Sequence, residues 1–156
     1  VGAHIRRTNT RGSLETEKGA FDRPGALVDR RRLMRRGLPY GGIDEATSDS
    51  AEQGIIFMCI GASIERQFEF VQQQWVNYSN DFKLGNDKDP LIGNHEGRLT
   101  DKHVIQAGGS IDGEPVKAPF FCSDMPRFVE TRGGDYFFIP SITALRMIAE
   151  DMIDPS

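Results

Sequence analysis

Gly54-Ile55-Ile56-Phe57-Met58-Cys59-Ile60 is followed by Gly61-Ala62-Ser63 and then by Ile64-Glu65-Arg66-Gln67-Phe68-Glu69-Phe70-Val71-Gln72-Gln73-Gln74-Trp75. The first run is apolar and of strand length, which predicts a buried strand. Ser63 suits a helix N-cap, because its hydroxyl can accept from a free amide of the first turn. Ile64, Phe68, Val71 and Trp75 then recur at helical spacing, the mark of an amphipathic helix packed on a sheet.

The theme returns near the end of the chain. Tyr136-Phe137-Phe138-Ile139 reads as a strand, Pro140-Ser141 as a helix start, and Ile142, Leu145, Ile148 and Met152 as one helix face. Residues 78–134 between the two pairs are rich in Gly, Asp, Asn and Pro, with a hairpin expected at Ile111-Asp112-Gly113-Glu114. Residues 1–53 are polar and Arg-rich and show no core of their own, so they must wrap around something or stay disordered. Two strand–helix pairs on long connections predict an α+β sandwich.

The chain has 156 residues, enough for one domain with a sizeable core. A formal net charge of -4 speaks against a broad nucleic-acid-binding role. Arg6, Arg7, Arg11, Arg23, Arg30, Arg31, Arg32, Arg35 and Arg36 nevertheless form a local cationic zone that suggests an anionic ligand. No apolar run approaches the roughly 20 residues of a membrane helix, so no membrane association is expected. No basic segment followed by an apolar one marks a secretory signal. A cytoplasmic location is therefore expected, with a removed leader as the alternative, since the chain starts at Val1 rather than Met. Cys59 and Cys122 make neither a disulfide framework nor a zinc site, and Cys59 reads as a buried small hydrophobe.

A lone histidine carries little information, but His4 has telling neighbours. Ala3-His4-Ile5-Arg6-Arg7-Thr8-Asn9 precedes Arg11, and Arg35-Arg36-Gly37-Leu38-Pro39-Tyr40-Gly41 follows. With Phe57-Met58-Cys59 leading into Ala62-Ser63-Ile64-Glu65-Arg66-Gln67-Phe68-Glu69-Phe70, and with Thr131-Arg132-Gly133-Gly134-Asp135-Tyr136-Phe137-Phe138-Ile139-Pro140-Ser141, these motifs resemble dye-decolourising peroxidases, in order and over nearly the whole chain.

The resemblance implies a ferredoxin-like α+β sandwich of the dimeric α+β barrel type. Residues 1–156 would form the second, C-terminal of the family's two domains, with the N-terminal half outside this chain. It implies a haem b peroxidase that uses hydrogen peroxide to oxidise dyes or phenols through an oxyferryl intermediate. Partners would be peroxide, an aromatic or dye reductant, the N-terminal half and a second copy in a homo-oligomer. The alternatives are a haem-handling, deferrochelatase-like protein, or one piece of a cleaved peroxidase active only with its other half.

Residue by residue, His4 matches the proximal iron ligand and Arg35 the distal arginine, where a guanidinium would stabilise charge as the peroxide bond breaks. Arg36 is a weaker match. Arg6 and Arg11 would pair with the haem propionates, against a reading of Arg6 as part of a solvated basic loop. Ile55 and Phe57, alternate residues of one strand, would line the distal haem face, with ordinary core as the other reading. Asp89, with Asp87 as competitor, would accept from the ligand histidine and make it more electron-rich, with turn residues as the other reading of both. Gly109-Ser110-Ile111-Asp112-Gly113 matches the family's distal-acid pattern but stands after His4 instead of before it. Asp112 is thus expected to be a turn residue. Trp75, Tyr40 and Tyr136 are oxidisable, with core packing the default for Trp75. His95 and His103 lie in polar loops and receive no role.

Overall fold

The computed structural model describes residues 2–14, 25–42, 52–96, 101–105, 110–111, 114–115 and 118–152. Helix α1 spans His4–Thr8, a 3-10 turn spans Arg11–Leu14, and helix α2 spans Ala26–Asp29. Strands β1, Met34–Tyr40, and β2, Gly54–Ile60, pair antiparallel along their full length. Wide helical segments Glu65–Glu69 and Val71–Val76 follow without a break in helical backbone. Their amides reach five residues back, as from Glu69 to Ile64 and from Asn77 to Gln72. Such π-type turns are rare in long runs and occur mostly where a fold places a functional feature. Strands β3 (His103–Ile105) and β6 (Phe120–Cys122) form a second antiparallel pair, and β4 (Ser110–Ile111) and β5 (Glu114–Pro115) a third. Helix α3, Ile142–Ala149, closes the order. The architecture is α+β.

The core forms around the second helical segment. Val71, Trp75, Val76, Phe82, Leu84 and Val104 bury together, with Leu14 and Phe70 against them. Trp75 meets Phe70 edge-to-face at 5.4 Å, and its Nε1–H donates to Asp81 Oδ2 at 2.9 Å. The aromatic ring is thus buried while its one polar atom stays satisfied. The expected helix is present, but only its Val71–Trp75 end enters the core; Ile64 is exposed. Ser63 does accept from Arg66 N–H, at 3.3 Å.

Four expectations change. The strand at 54–60 forms, yet Ile55, Ile56, Phe57, Met58 and Ile60 are exposed and Cys59 is only half-buried. A two-stranded ribbon has two open faces, and among the described residues no complete layer covers either. Tyr136-Phe137-Phe138-Ile139 forms no strand, with Phe138 87% exposed, because among the described residues no neighbouring strand pairs with its backbone. Helix α3 starts where expected, with Ser141 Oγ accepting from Ala144 N–H at 3.1 Å. Its apolar face Ile142, Leu145, Ile148 and Met152 nevertheless stays exposed. The opening segment is also better anchored than composition implied, since Arg7, Thr10, Ala26 and Val28 are buried. The expected hairpin is present as Ile111 opposite Glu114; Asp112 lies outside the described residues. Among the described residues no helix is long and apolar enough to cross a membrane.

Candidate functional site

Helix α1 is a single short turn, too short to be stable alone. Arg7 pins it. This guanidinium is fully buried and donates to the carbonyls of Gly2 (2.6 Å), Trp75 (3.1 Å) and Asp87 (3.3 Å), to the hydroxyl of Ser79, and to Asp87 Oδ2 at 2.6 Å. Burial pulls the arginine's pKa down, while Asp87 and Asp89 oppose that pull. Burial likewise pushes the Asp87 carboxyl up, against hydrogen bonding from the Val104 amide and the charges of Arg7 and His103.

His4 stands one turn before Arg7 on the same side of the helix, at i,i+3. Its Nδ1 lies 3.0 Å from Asp89 Oδ2, with the carboxylate fully buried and the imidazole side chain 35% exposed. The other carboxylate oxygen, Oδ1, accepts from the amides of Leu91 (2.9 Å) and Ile92 (3.0 Å). Burial would raise the Asp89 carboxyl. The hydrogen bonds from His4, Ile92 and Leu91 outweigh it, and the group sits below its ordinary value. A charged carboxylate can only accept, so the shared hydrogen belongs to His4 Nδ1, and in the neutral form of the ring the lone pair is then on Nε2. Among the described residues nothing hydrogen-bonds to that Nε2. Asp87, the alternative acceptor, is committed to Arg7.

Strand register sorts the remaining candidates. Arg35 stands opposite Cys59, Gly37 opposite Phe57 and Pro39 opposite Ile55. Directly paired residues share a face and alternate residues return to it. Arg35, Phe57 and Ile55 therefore occupy one face of the ribbon, and Arg36 the other. Phe57 on that face stacks at 6.3 Å on Phe68, which meets Tyr136 edge-on at 6.3 Å. At the ribbon's end Tyr40 lies over Gly54, where any Cβ would collide with its ring.

Arg35, Arg6 and Arg11 are exposed, and among the described residues none has an acidic partner. No hydrogen bond or ion pair among the described residues joins them to His4 or Asp89. Of the oxidisable residues, Trp75 is core. Tyr136 is on the surface and donates to Glu69 Oε1 at 2.9 Å, a bond that raises its phenol above the usual value.

Sequence reading overlooked two histidines. His95 is fully buried, with Nε2 2.7 Å from the Asp89 carbonyl oxygen. His103 is buried too, with Nδ1 3.4 Å from Asp87 Oδ2. Both sit in polar segments without periodicity, so no local pattern announced their burial.

No family model matches the chain. Among curated proteins it is similar to dye-decolorizing peroxidase msp1 of Mycetinis scorodonius, 31% identical over 94% of this chain and 29% of that protein. Dye-decolorizing peroxidase AauDyP1 of Auricularia auricula-judae is 32% identical over 92% of this chain and 28% of that protein. Multifunctional dye peroxidase DyP2 of Amycolatopsis sp. (strain ATCC 39116 / 75iv2) is 33% identical over 94% of this chain and 31% of that protein. The solved structure of DyP2 from Amycolatopsis sp. ATCC 39116 aligns with a TM-score of 0.56 at 27% identity, over 81% of this chain and 27% of that one. The chain thus spans less than a third of the length of these relatives.

Proposed function

The chain belongs to the dye-decolorizing peroxidase family, and on that premise we propose that it is the haem-ligating part of a peroxidase, with His4 as the axial iron ligand. The observation that carries the reading is the His4–Asp89 hydrogen bond. It commits Nδ1 to a buried carboxylate and presents the Nε2 lone pair on a part-exposed ring, the state a metal-binding imidazole needs. The fit extends to the charges, since Arg6 and Arg11 are free among the described residues to meet the carboxylates of haem b. Bound haem would supply the iron at which hydrogen peroxide is reduced and from which a dye or phenol donor is oxidised.

The chain's own residues would do the rest. Asp89 draws on the Nδ1 hydrogen and makes His4 a stronger donor at Nε2. Arg35 brings a permanent positive charge to the ribbon face it shares with Ile55 and Phe57, and those two side chains would keep water away from that face. The ribbon and helix α3 leave apolar side chains uncovered, Ile55, Phe57, Ile142 and Ile148 among them, and contiguous exposed apolar surface marks interaction sites. We assign that surface to packing against the haem and against an N-terminal, ferredoxin-like domain outside this chain. Among the described residues no carboxylate pairs with Arg35. This favours, as a second reading, a chain that binds haem but turns over slowly until a segment outside this chain supplies the acid.

The test is a visible absorption spectrum of the chain with haem, before and after peroxide. A Soret band that responds to peroxide is expected. Arg35→Leu should leave haem binding intact and slow the reaction with peroxide by about 100-fold or more, the usual scale for removing one preorganised charge donor. Unchanged peroxide reactivity in that variant would remove Arg35 from the mechanism.

A further inference from the structure

His95 is buried beyond reach of solvent and takes no part in the chemistry above, yet its ring is aimed at the residue that orients His4. The Asp89 main chain is gripped at both ends. Its amide donates to the Val76 carbonyl at 2.7 Å. Its carbonyl oxygen accepts from Gly93 N–H at 3.1 Å and lies 2.7 Å from His95 Nε2. A carbonyl only accepts, so Nε2 carries the hydrogen. The chain between folds tightly enough that a Cβ at Gly93 would collide with the Asp89 carbonyl oxygen. His95 is itself fixed: its amide donates to Gly93 O at 2.8 Å, and Arg127 Nε donates to its carbonyl at 3.1 Å. Its Nδ1 is buried with no partner among the described residues. An apolar side chain would bury there at no such cost, so the ring's one hydrogen bond has to account for its presence.

We infer that His95 is a positioning residue for the His4–Asp89 pair. Through the Nε2–H bond to the Asp89 carbonyl it sets the backbone at 89, and so the point at which the carboxylate meets the imidazole. His4 lies 85 residues from Asp89 in sequence, so their 3.0 Å contact depends on the backbone of this loop being held in place. The consequence for haem affinity rests on the function proposed above; the positioning itself does not.

The experiment uses the haem-free full chain and its variants, with far-UV circular dichroism to establish folding. Long-range 1H–15N correlation in alkaline buffer reads which nitrogen of His4 carries hydrogen, and three histidines keep the assignment simple. The parent chain should hold His4 as the Nδ1–H form. His95→Leu should lose that preference. His95→Gln, whose amide reaches about as far as Nε2, should restore it. Haem titration should show roughly tenfold weaker binding for His95→Leu and near-parent binding for His95→Gln, the scale of outer-shell effects on metal sites.

A folded His95→Leu with the parent His4 form overturns the proposal. If His95→Leu does not fold, His95→Asn decides, because its amide stops short of the carbonyl: parent behaviour there overturns the proposal, and loss beside a normal His95→Gln supports it. A parent chain that binds no haem, but whose His4 form still follows His95, overturns the haem reading and leaves the positioning intact.

Discussion

Arg7→Leu is expected to destabilise the fold by about 3–5 kcal/mol, the usual cost of removing one partner from a buried ion pair. The guanidinium makes five hydrogen bonds from a fully buried position, to Gly2, Trp75, Ser79 and twice to Asp87. Leucine fills part of the volume but strands Asp87, whose Oδ1 already has no partner among the described residues. The remaining support for that carboxylate is the Val104 amide and the nearby His103. Urea unfolding followed by circular dichroism would measure the change. Arg7→Lys should recover little, because an ammonium cannot reproduce a planar, many-donor fork. Arg7→Leu with Asp87→Leu should recover part of the loss, since no buried charge is then left alone. An Arg7→Leu chain within 1 kcal/mol of the parent would show that α1 is anchored by something else (a threshold set at about the median mutational effect). The effect also reaches the site, because α1 has no other buried side chain in its five residues and carries His4 with it.

His4→Ala should weaken haem binding by at least about 100-fold and abolish a ligated Soret spectrum, since outer-shell partners alone cost 10–100-fold. The substitution also leaves Asp89 Oδ2 without its partner, at about 1–3 kcal/mol of stability. His4→Gln separates the two effects. It can still donate to Asp89 but offers no imidazole, so it should fold better than His4→Ala and still lose the spectrum. Added imidazole should restore ligation in His4→Gly, where the ring's volume is vacant. A haem spectrum unchanged in His4→Ala would sink the ligand assignment whatever happens to stability.

Local pattern made much of this structure legible. The apolar run at 54–60, the helical repeat through Val71 and Trp75, and the Ser141 cap each depend on neighbours a few residues apart, and each formed. The candidate pair His4 and Asp89 was also readable, though only through resemblance, because no local pattern encodes a 3.0 Å contact between residues 85 positions apart. What failed were statements about burial. The ribbon, the 136–139 segment and α3 are apolar enough for a core, yet stand exposed, since burial requires a second layer and this chain supplies none among its described residues. Conversely, Arg7, Asp87, His95 and His103 look like surface residues and are buried, because each finds a polar partner: Arg7 and Asp87 each other across 80 positions, His103 the Asp87 carboxylate, and His95 the Asp89 carbonyl within its own loop.

By itself, then, the sequence determined the places where strands and helices begin, and the chemical identity of a histidine with a carboxylate to orient it. The tertiary structure decided which carboxylate. Asp87 and Asp89 are two residues apart and chemically alike, and the choice between them is made by Arg7, whose fixed donors claim Asp87 and leave Asp89 to His4. It also decided that Arg35 and not Arg36 shares a face with Ile55 and Phe57, because a strand turns neighbouring side chains to opposite sides and the register with β2 fixes which side is which.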